Sequence, residues 1–116
     1  MKKLFIAAFM LVSSFGTNVM ADGHAIKMGI ILGFTGPIES LTPAMAGSAE
    51  LAFKEASDSG SLLGGKKIEV VRADSTCVDS AAATAAAEGV ISQGVAAIMG
   101  ADCSGVTGAI ASNVAV

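Results

Sequence analysis

The sequence predicts an α/β fold, a Rossmann-like parallel sheet in the order β-α-β-α-β-α. Two observations predict it. Short apolar runs with β-branched residues alternate along the chain with longer segments in which apolar and small residues recur at helical spacing. The segments between the strands are also too long for hairpin turns, so the strands are expected to run parallel and to be joined by right-handed crossovers.

The first strand is predicted at residues 26–32 (IKMGIIL), an apolar run that contains β-branched residues. A turn cluster, Thr35-Gly36-Pro37, follows it. Thr42 is predicted to be the N-cap of the first helix, because Pro43 directly after it suits the first helical position. The first helix is therefore predicted over residues 43–58.

One face of this helix is predicted to be apolar, because five apolar residues recur at helical spacing. They are Met45, Ala49, Ala52, Phe53 and Ala56. Glu50 and Lys54 are predicted to form an i,i+4 ion pair on another face of the same helix.

The rest of the chain continues the alternation of strands and helices. Residues 67–73 form a second predicted strand, whose partly alternating pattern favours a place nearer the sheet edge. Asp79 is predicted to cap a second helix that ends at Gly94. A third strand is predicted at residues 95–99, and a third helix begins at Val106. The second helix carries its apolar and small positions at Ala83, Ala86, Ala87, Val90 and Ile91.

Residues 1–21 are predicted to be a secretory signal peptide that is cleaved after Ala21. Lys2 and Lys3 give a basic start, and residues 4–12 are an unbroken apolar run. A membrane-spanning helix needs about 20 apolar residues, and polar residues interrupt this stretch sooner. No cysteine lies near the cleavage point, so we expect a soluble periplasmic protein without a lipid anchor.

The composition excludes several classes of protein. The 116 residues are 53% apolar and 15% charged, and the formal net charge is −3. Cleavage after Ala21 removes two lysines and leaves five basic and ten acidic residues, a net charge of −5. A disordered chain, a collagen-like chain and a basic nucleic-acid-binding protein are therefore excluded, and we expect no nucleic-acid partner.

Cys77 and Cys103 are the only two cysteines, and the predicted export places them in an oxidising compartment. A disulfide between them is therefore the expected state. Metal binding and Cys–His catalysis are disfavoured, because the two cysteines lack metal-ligand spacing and the only histidine, His24, lies in the predicted N-terminal tail. We expect no metal site.

Ligands of open parallel sheets bind at the carboxyl ends of the strands, which here are followed by residues 33–41, 74–79 and 100–105. The first of these loops has neither a dinucleotide-binding glycine pattern nor a P-loop lysine, so we expect no nucleotide cofactor. The fold alone would still permit an exported Rossmann-type enzyme.

The third loop is the most informative for ligand binding. Ser104 and Gly105 stand where a strand gives way to a helix, so a hydroxyl and free backbone N–H groups would converge at a helix N-terminus. Such an arrangement suits a carboxylate. Alternatively, Ser104 only caps its own helix, and this loop alone does not decide between the two.

Several motifs follow one another in a specific order. They are Ile26-Lys27-Met28-Gly29, Thr35-Gly36-Pro37, residues 47–52 (GSAELA), residues 63–71 (LGGKKIEVV), residues 74–79 with Cys77, Ile98-Met99-Gly100, and Cys103-Ser104. In this order and spacing, the sequence from Ile26 to about Val116 resembles the substrate-binding proteins of branched-chain amino-acid ABC transporters. These are periplasmic binding proteins of the Leu/Ile/Val-binding type.

The resemblance implies a two-lobed protein of the type I periplasmic binding fold, in which residues 22–116 form the N-terminal portion of the first lobe. Cys77 and Cys103 match the disulfide of that family. The family residues that hold the ligand's α-carboxylate and help to bind its ammonium group correspond to Cys103, through its backbone, and to Ser104.

Two positions depart from the family pattern. Leu41 occupies a loop position where family members often place a tyrosine against the ligand, and Asp102 replaces an apolar residue before the cysteine. Asp102 near the pocket could favour a cationic or amide-bearing ligand. Alternatively, Asp102 is a solvated loop acid, since acids are seldom buried unpaired.

The resemblance implies the periplasmic substrate-binding component of an ABC importer, with no enzymatic activity and no cofactor. Such a protein would capture a branched-chain or related amino acid, or a short amide, between two lobes and deliver it to a permease in the inner membrane. We expect it to be monomeric at full length. Two alternatives stay open: an exported Rossmann-type enzyme, and the ligand-sensing domain of a receptor with the same fold.

Overall fold

The structure is a computed structural model that describes residues 24–115. The predicted signal peptide, residues 1–21, lies outside the described residues. The described elements follow the predicted order β-α-β-α-β-α, with one short 3-10 turn at Leu62–Gly64. They are β1 (Ile26–Leu32), α1 (Thr42–Asp58), β2 (Ile68–Asp74), α2 (Ser80–Ser92), β3 (Ala97–Gly100) and α3 (Ser104–Asn113).

The three strands form a parallel sheet in the order β2-β1-β3, which confirms the predicted fold class. β1 lies in the middle, with Ile26 opposite Ile68 on one side and Met28 opposite Ala97 on the other. Its second half, residues 29–32, is buried, as expected for a central strand covered on both faces. β2, the alternating strand, forms one edge of the described sheet.

Helices cover both faces of the sheet. Successive residues of β1 point to opposite faces, so β1 contributes side chains to a separate apolar cluster on each face. On one face, Ile30 and Leu32 pack with Ala46 of α1. On the other face, Ile31 packs with Ala87 and Val90 of α2, and Ile110 and Val114 from the α3 region pack against this second cluster. Burying an isoleucine side chain contributes about 1.5–3 kcal/mol, so β1 anchors both layers.

The prediction that Thr42 caps α1 is wrong. Leu41 takes the N-cap position, without a side-chain hydrogen bond, and Thr42 is the first residue of the helix. The Thr42 side chain is fully buried, and its hydroxyl donates to the carbonyl oxygen of Gly33 at 3.2 Å. Thr42 therefore ties the start of α1 to the end of β1 instead of satisfying an N–H of its own helix.

The buried stripe of α1 differs from the predicted one. Ala49, Phe53 and Ala56 are half-buried as expected, whereas Met45 and Ala52 are exposed. Thr42, Ala46 and Ser57 are the buried residues of the helix. Two of these three carry hydroxyl groups that bond to backbone outside the helix, so a search for apolar spacing does not find them.

The predicted ion pair between Glu50 and Lys54 is also wrong. Glu50 instead accepts two hydrogen bonds from Arg72 on β2, at 2.5 and 2.7 Å, and Lys54 pairs with Asp58. The planar guanidinium of Arg72 matches a carboxylate at two points, which favours this pair over the single-point contact of a lysine. The Arg72 contact joins α1 to β2.

The prediction that Asp79 caps α2 is confirmed. Its Oδ1 atom accepts hydrogen bonds from the N–H groups of Ala81 and Ala82, at 2.9 and 3.0 Å. The helix buries Ala83, Ala87 and Val90 as predicted, whereas Ile91 is 47% exposed. The ends of α2, β3 and α3 differ from the predicted ends by one to three residues, as is usual for element boundaries.

No helix within residues 24–115 is both long enough and apolar enough to cross a membrane.

Candidate functional site

Three loops meet at the edge of the sheet that is formed by the carboxyl ends of its strands, because parallel strands all end on the same side. We name them loop 1 (residues 33–41, after β1), loop 2 (residues 75–79, after β2) and loop 3 (residues 101–103, after β3). Since β1 is the middle strand, loop 1 lies between the other two. The contacts between these loops determine the shape of this edge.

A disulfide joins loop 2 to loop 3, as predicted. The sulfur atoms of Cys77 and Cys103 are bonded, and the two Cα atoms lie 5.2 Å apart. Cys103 is the residue directly before α3. The bridge therefore fixes the beginning of α3 relative to loop 2.

Asp74, the last residue of β2, joins loop 1 to loop 2. Its Oδ2 atom accepts the hydroxyl hydrogen of Thr35 at 2.6 Å, and its Oδ1 atom accepts the N–H groups of Thr76 and Thr35, at 2.8 and 3.3 Å. Partial burial acts to raise the pKa of Asp74, but hydrogen bonds from Thr35, Thr76 and Phe34 outweigh it and lower the pKa below its usual value. We therefore expect an ionised carboxylate here at neutral pH.

Loops 1 and 2 approach each other closely at Gly36. This residue has a φ of +98°, and a Cβ atom placed on it would lie 2.5 Å from the carbonyl oxygen of Thr76. A side chain at this position would both strain the backbone and clash with loop 2. The glycine of the predicted turn cluster is thus required by a contact with a distant part of the chain.

Asp102 joins loop 3 to loop 1. Its Oδ2 atom accepts the N–H of Gly33 at 2.9 Å, and its Oδ1 atom lies 3.5 Å from the hydroxyl of Ser75. Gly33 and Ser75 are both buried, and Asp102 is half-buried. Asp102 is therefore not a solvated loop acid. Its predicted effect on ligand choice stays a prediction.

Ser104 begins α3 at this edge, and its side chain is exposed. Cys103, not Ser104, takes the N-cap position, so the alternative that Ser104 caps its own helix is wrong. No hydrogen bond of the Ser104 hydroxyl occurs within residues 24–115. The first N–H groups of α3 have no acceptor inside the helix and carry its partial positive charge, so they and the hydroxyl can serve a carboxylate.

Leu41 lies at the end of loop 1, in the N-cap position of α1. Its N–H donates to the carbonyl oxygen of Ile38 at 2.9 Å, and the residue is 60% exposed. The predicted site residues thus fall into two groups. Asp102, Cys103 and Ser104 are consecutive and are tied to loops 1 and 2, whereas Leu41 offers an exposed apolar side chain from the α1 end of loop 1.

The sequence-based prediction missed the polar groups that hold the loops together, namely Thr35, Asp74, Ser75 and Thr76. One signal for part of this network was present. Asp74 bonds to the N–H of the residue two positions later, and an aspartate followed by serine and threonine at a strand end is typical of such a turn. The partner in loop 1 had no comparable local signal.

An apolar cavity of about 230 Å³ lies beside β3, under α3. Ile98, Ala101, Thr107 and Ile110 contribute to its lining. Leu41, Asp102, Cys103 and Ser104 do not line it, although Ala101 of loop 3 does.

The periplasmic binding protein family matches residues 25–116 of this chain. The chain belongs to this family. The resemblance inferred from the motif order is thereby confirmed. No protein with a curated description matches the chain.

A solved structure gives a structural comparison. It is the branched-chain amino acid transporter substrate binding protein LivJ from Streptococcus pneumoniae, in complex with isoleucine. The match has a TM-score of 0.54 and 30% sequence identity, and it covers 78% of this chain. It covers 26% of LivJ, so the chain spans about a quarter of the length of that protein.

Proposed function

We propose that this chain forms part of the first lobe of a periplasmic amino-acid-binding protein and supplies one wall of its ligand cleft. The observation that carries the proposal is the start of α3, where the exposed Ser104 hydroxyl stands beside the first N–H groups of the helix, which have no acceptor within it. Membership of the periplasmic binding protein family and the match to LivJ, which was solved with isoleucine, support an amino acid as the ligand.

The carboxylate of the amino acid would bind at Ser104 and at the backbone of Cys103. A hydroxyl and several N–H groups that donate to one carboxylate form charge-assisted hydrogen bonds, which are stronger than hydrogen bonds between neutral groups. The partial positive charge at the beginning of α3 adds to this attraction. The disulfide to Cys77 holds these donors in place before the ligand arrives.

Leu41 is proposed to contact the side chain of the ligand. Its exposed isobutyl group is the apolar group that loop 1 presents at the start of α1. Burial of apolar surface between Leu41 and a branched ligand would favour such a ligand over glycine or alanine. The Asp102 carboxylate already has protein partners in Gly33 and Ser75.

The proposed mechanism is capture without chemical conversion. Residues 22–116 would belong to the first lobe, a second lobe would close over the amino acid, and the closed form would deliver it to an ABC permease in the inner membrane. Residues 1–21 would direct the protein to the periplasm and be removed after Ala21. The mature protein would act as a monomer.

Calorimetric titration of the full gene product with isoleucine and with isoleucinamide tests the proposal. Both ligands share the side chain and the amino group, but only isoleucine carries the carboxylate. We expect isoleucine to bind and the amide to bind about 10- to 100-fold more weakly, since it cannot form the charge-assisted bonds. Failure of every amino acid and short amide tested to bind would refute the proposed function.

A further inference from the structure

The environment of Asp102 points to a role that neither sequence-based interpretation included. The residue precedes the disulfide cysteine, and its half-buried carboxylate contacts Gly33 and Ser75, the residues that directly follow β1 and β2. The 2.9 Å bond from the Gly33 N–H to Oδ2 is the stronger of its two contacts. The 3.5 Å contact with Ser75 is long for a hydrogen bond.

The Gly33 N–H faces the β3 side of the sheet. The backbone carbonyl oxygen of Lys27 accepts a hydrogen bond from the N–H of Ala96, which directly precedes β3. Backbone groups alternate in direction along a strand, so every second residue of β1 from Lys27 onward directs its N–H and carbonyl toward β3. Gly33 is the next such residue after the last paired one, Ile31, which lies opposite Gly100. The Asp102 carboxylate therefore replaces a backbone carbonyl and extends the pairing of β1 with β3 beyond the end of the strand.

Ser75 is the second residue that the Asp102 carboxylate contacts. It is fully buried, and its N–H donates to the carbonyl oxygen of Leu32 at 2.9 Å. Within residues 24–115, the Ser75 hydroxyl has the Asp102 carboxylate as its partner, and no buried side-chain oxygen or nitrogen of that region is left unpaired. A buried hydroxyl without a partner costs about 1–3 kcal/mol, so the carboxylate also stabilises loop 2.

We propose that Asp102 is a positioning residue: its carboxylate reaches from loop 3 to Gly33 of loop 1 and toward Ser75 of loop 2, and so holds the three loops as one wall. It acts on the ligand through Cys103 and Ser104, whose position it fixes, and not by contact with the ligand. This inference deepens the proposed function and rests on it for the ligand part. The contacts of Asp102 with Gly33 and Ser75, which we call the Asp102 bridge, do not depend on any ligand.

Amide hydrogen exchange, measured by NMR on the full chain without ligand, tests the bridge directly. Asp102→Ala removes the acceptor, and we expect exchange at the Gly33 N–H to become about 10- to 100-fold faster. Asp102→Asn keeps an acceptor oxygen and should retain most of the protection. Glu88→Ala, which removes an exposed carboxylate of α2, is the control and should leave Gly33 unchanged. Unchanged exchange in Asp102→Ala would overturn the proposal.

Isoleucine titration of the same variants of the full gene product separates positioning from direct ligand contact. We expect Asp102→Ala to weaken binding about tenfold and Asp102→Asn to restore most of it, because the hydrogen-bonding geometry matters more than the charge. Equal losses in both variants would show that the charge acts on the ligand and would overturn the positioning role. If the unmodified protein binds no amino acid, the proposed function fails, and Gly33 exchange still decides whether the bridge exists.

Discussion

Thr35 and Asp74 are joined by two hydrogen bonds, one from the Thr35 hydroxyl at 2.6 Å and one from its N–H at 3.3 Å. Because these bonds favour the ionised carboxylate, the pKa of Asp74 is lower in the folded chain than its ordinary value of 3.8. Its contribution to stability is therefore complete above pH 3.8 and is lost as the pH falls through the lower, folded-state pKa.

We expect Asp74→Asn to reduce the loss of stability in acid. The free energy of unfolding, measured by urea denaturation at several pH values, should fall less steeply below pH 3.8 in the variant than in the unmodified protein. Glu50 also has a lowered pKa, through its hydrogen bond with Arg72, and adds to the slope in both proteins. Identical acid slopes in the two proteins would contradict the assigned network.

Gly36→Ala should destabilise the protein by about 1–3 kcal/mol, because the new Cβ would strain a residue with positive φ and meet the Thr76 carbonyl. Gly47→Ala is the matched control. Gly47 lies within α1, and a Cβ there would contact nothing within 4 Å, so we expect a gain of about 0.5–1 kcal/mol. Thermal or urea unfolding measures both, and effects of the same sign would contradict this account.

Ser57→Ala should also destabilise the chain, although it replaces a small buried residue with an apolar one of similar size. The Ser57 hydroxyl oxygen accepts the N–H of Ile68 at 2.8 Å, and the variant would leave that N–H without this acceptor, at a cost of about 1–3 kcal/mol. Ser48→Ala, on the exposed side of the same helix, should have little effect. Equal unfolding midpoints for the two variants would show that the Ile68 bond is unimportant.

Replacement of Cys77 and Cys103 together by serine should lower the free energy of unfolding by about 3.5 kcal/mol, from the entropy of the closed loop. The two residues are separated by 26 positions. Reduction of the unmodified protein with a thiol should have a similar effect, which provides an independent comparison. Mass spectrometry that found two free thiols in exported protein would remove the basis of this prediction.

Ser104→Ala should weaken isoleucine binding to the full gene product by about 1–2 kcal/mol, or 5- to 30-fold, through loss of one hydrogen bond to the carboxylate. Ser112→Ala is the control, because Ser112 is an exposed serine in the last turn of the same helix. Calorimetry should show unchanged affinity for the control. The same result for Ser104→Ala would contradict its place in the ligand site.

Features set by local spacing were predictable from the sequence, and features set by distant contacts were not. The apolar run of β1 and the cap at Asp79 depend on neighbouring residues, and both were predicted. Thr42 and Ser57 are buried because their hydroxyls reach backbone outside α1, which overrides the apolar spacing of that helix.

The candidate site shows the same division. The strand-to-helix junction at Ser104 was visible as a sequence pattern. The bond between Asp102 and Gly33 joins residues 69 positions apart, and no periodicity or motif in the sequence indicates such a pair. The turn at Asp74 carried a local signal, but its partner Thr35, 39 positions earlier, did not.

The strand order has a consequence for the order in which the chain is synthesised. β1 is made first but lies between β2 and β3, so neither of its edges has a partner until later residues leave the ribosome. The hydrogen bond of Gly33 in loop 1 forms only after Asp102 has been made, and the disulfide also needs Cys103. The edge that carries loops 1, 2 and 3 is therefore the last part of this sheet to form, and it stays incomplete until Asp102 and Cys103 have been synthesised.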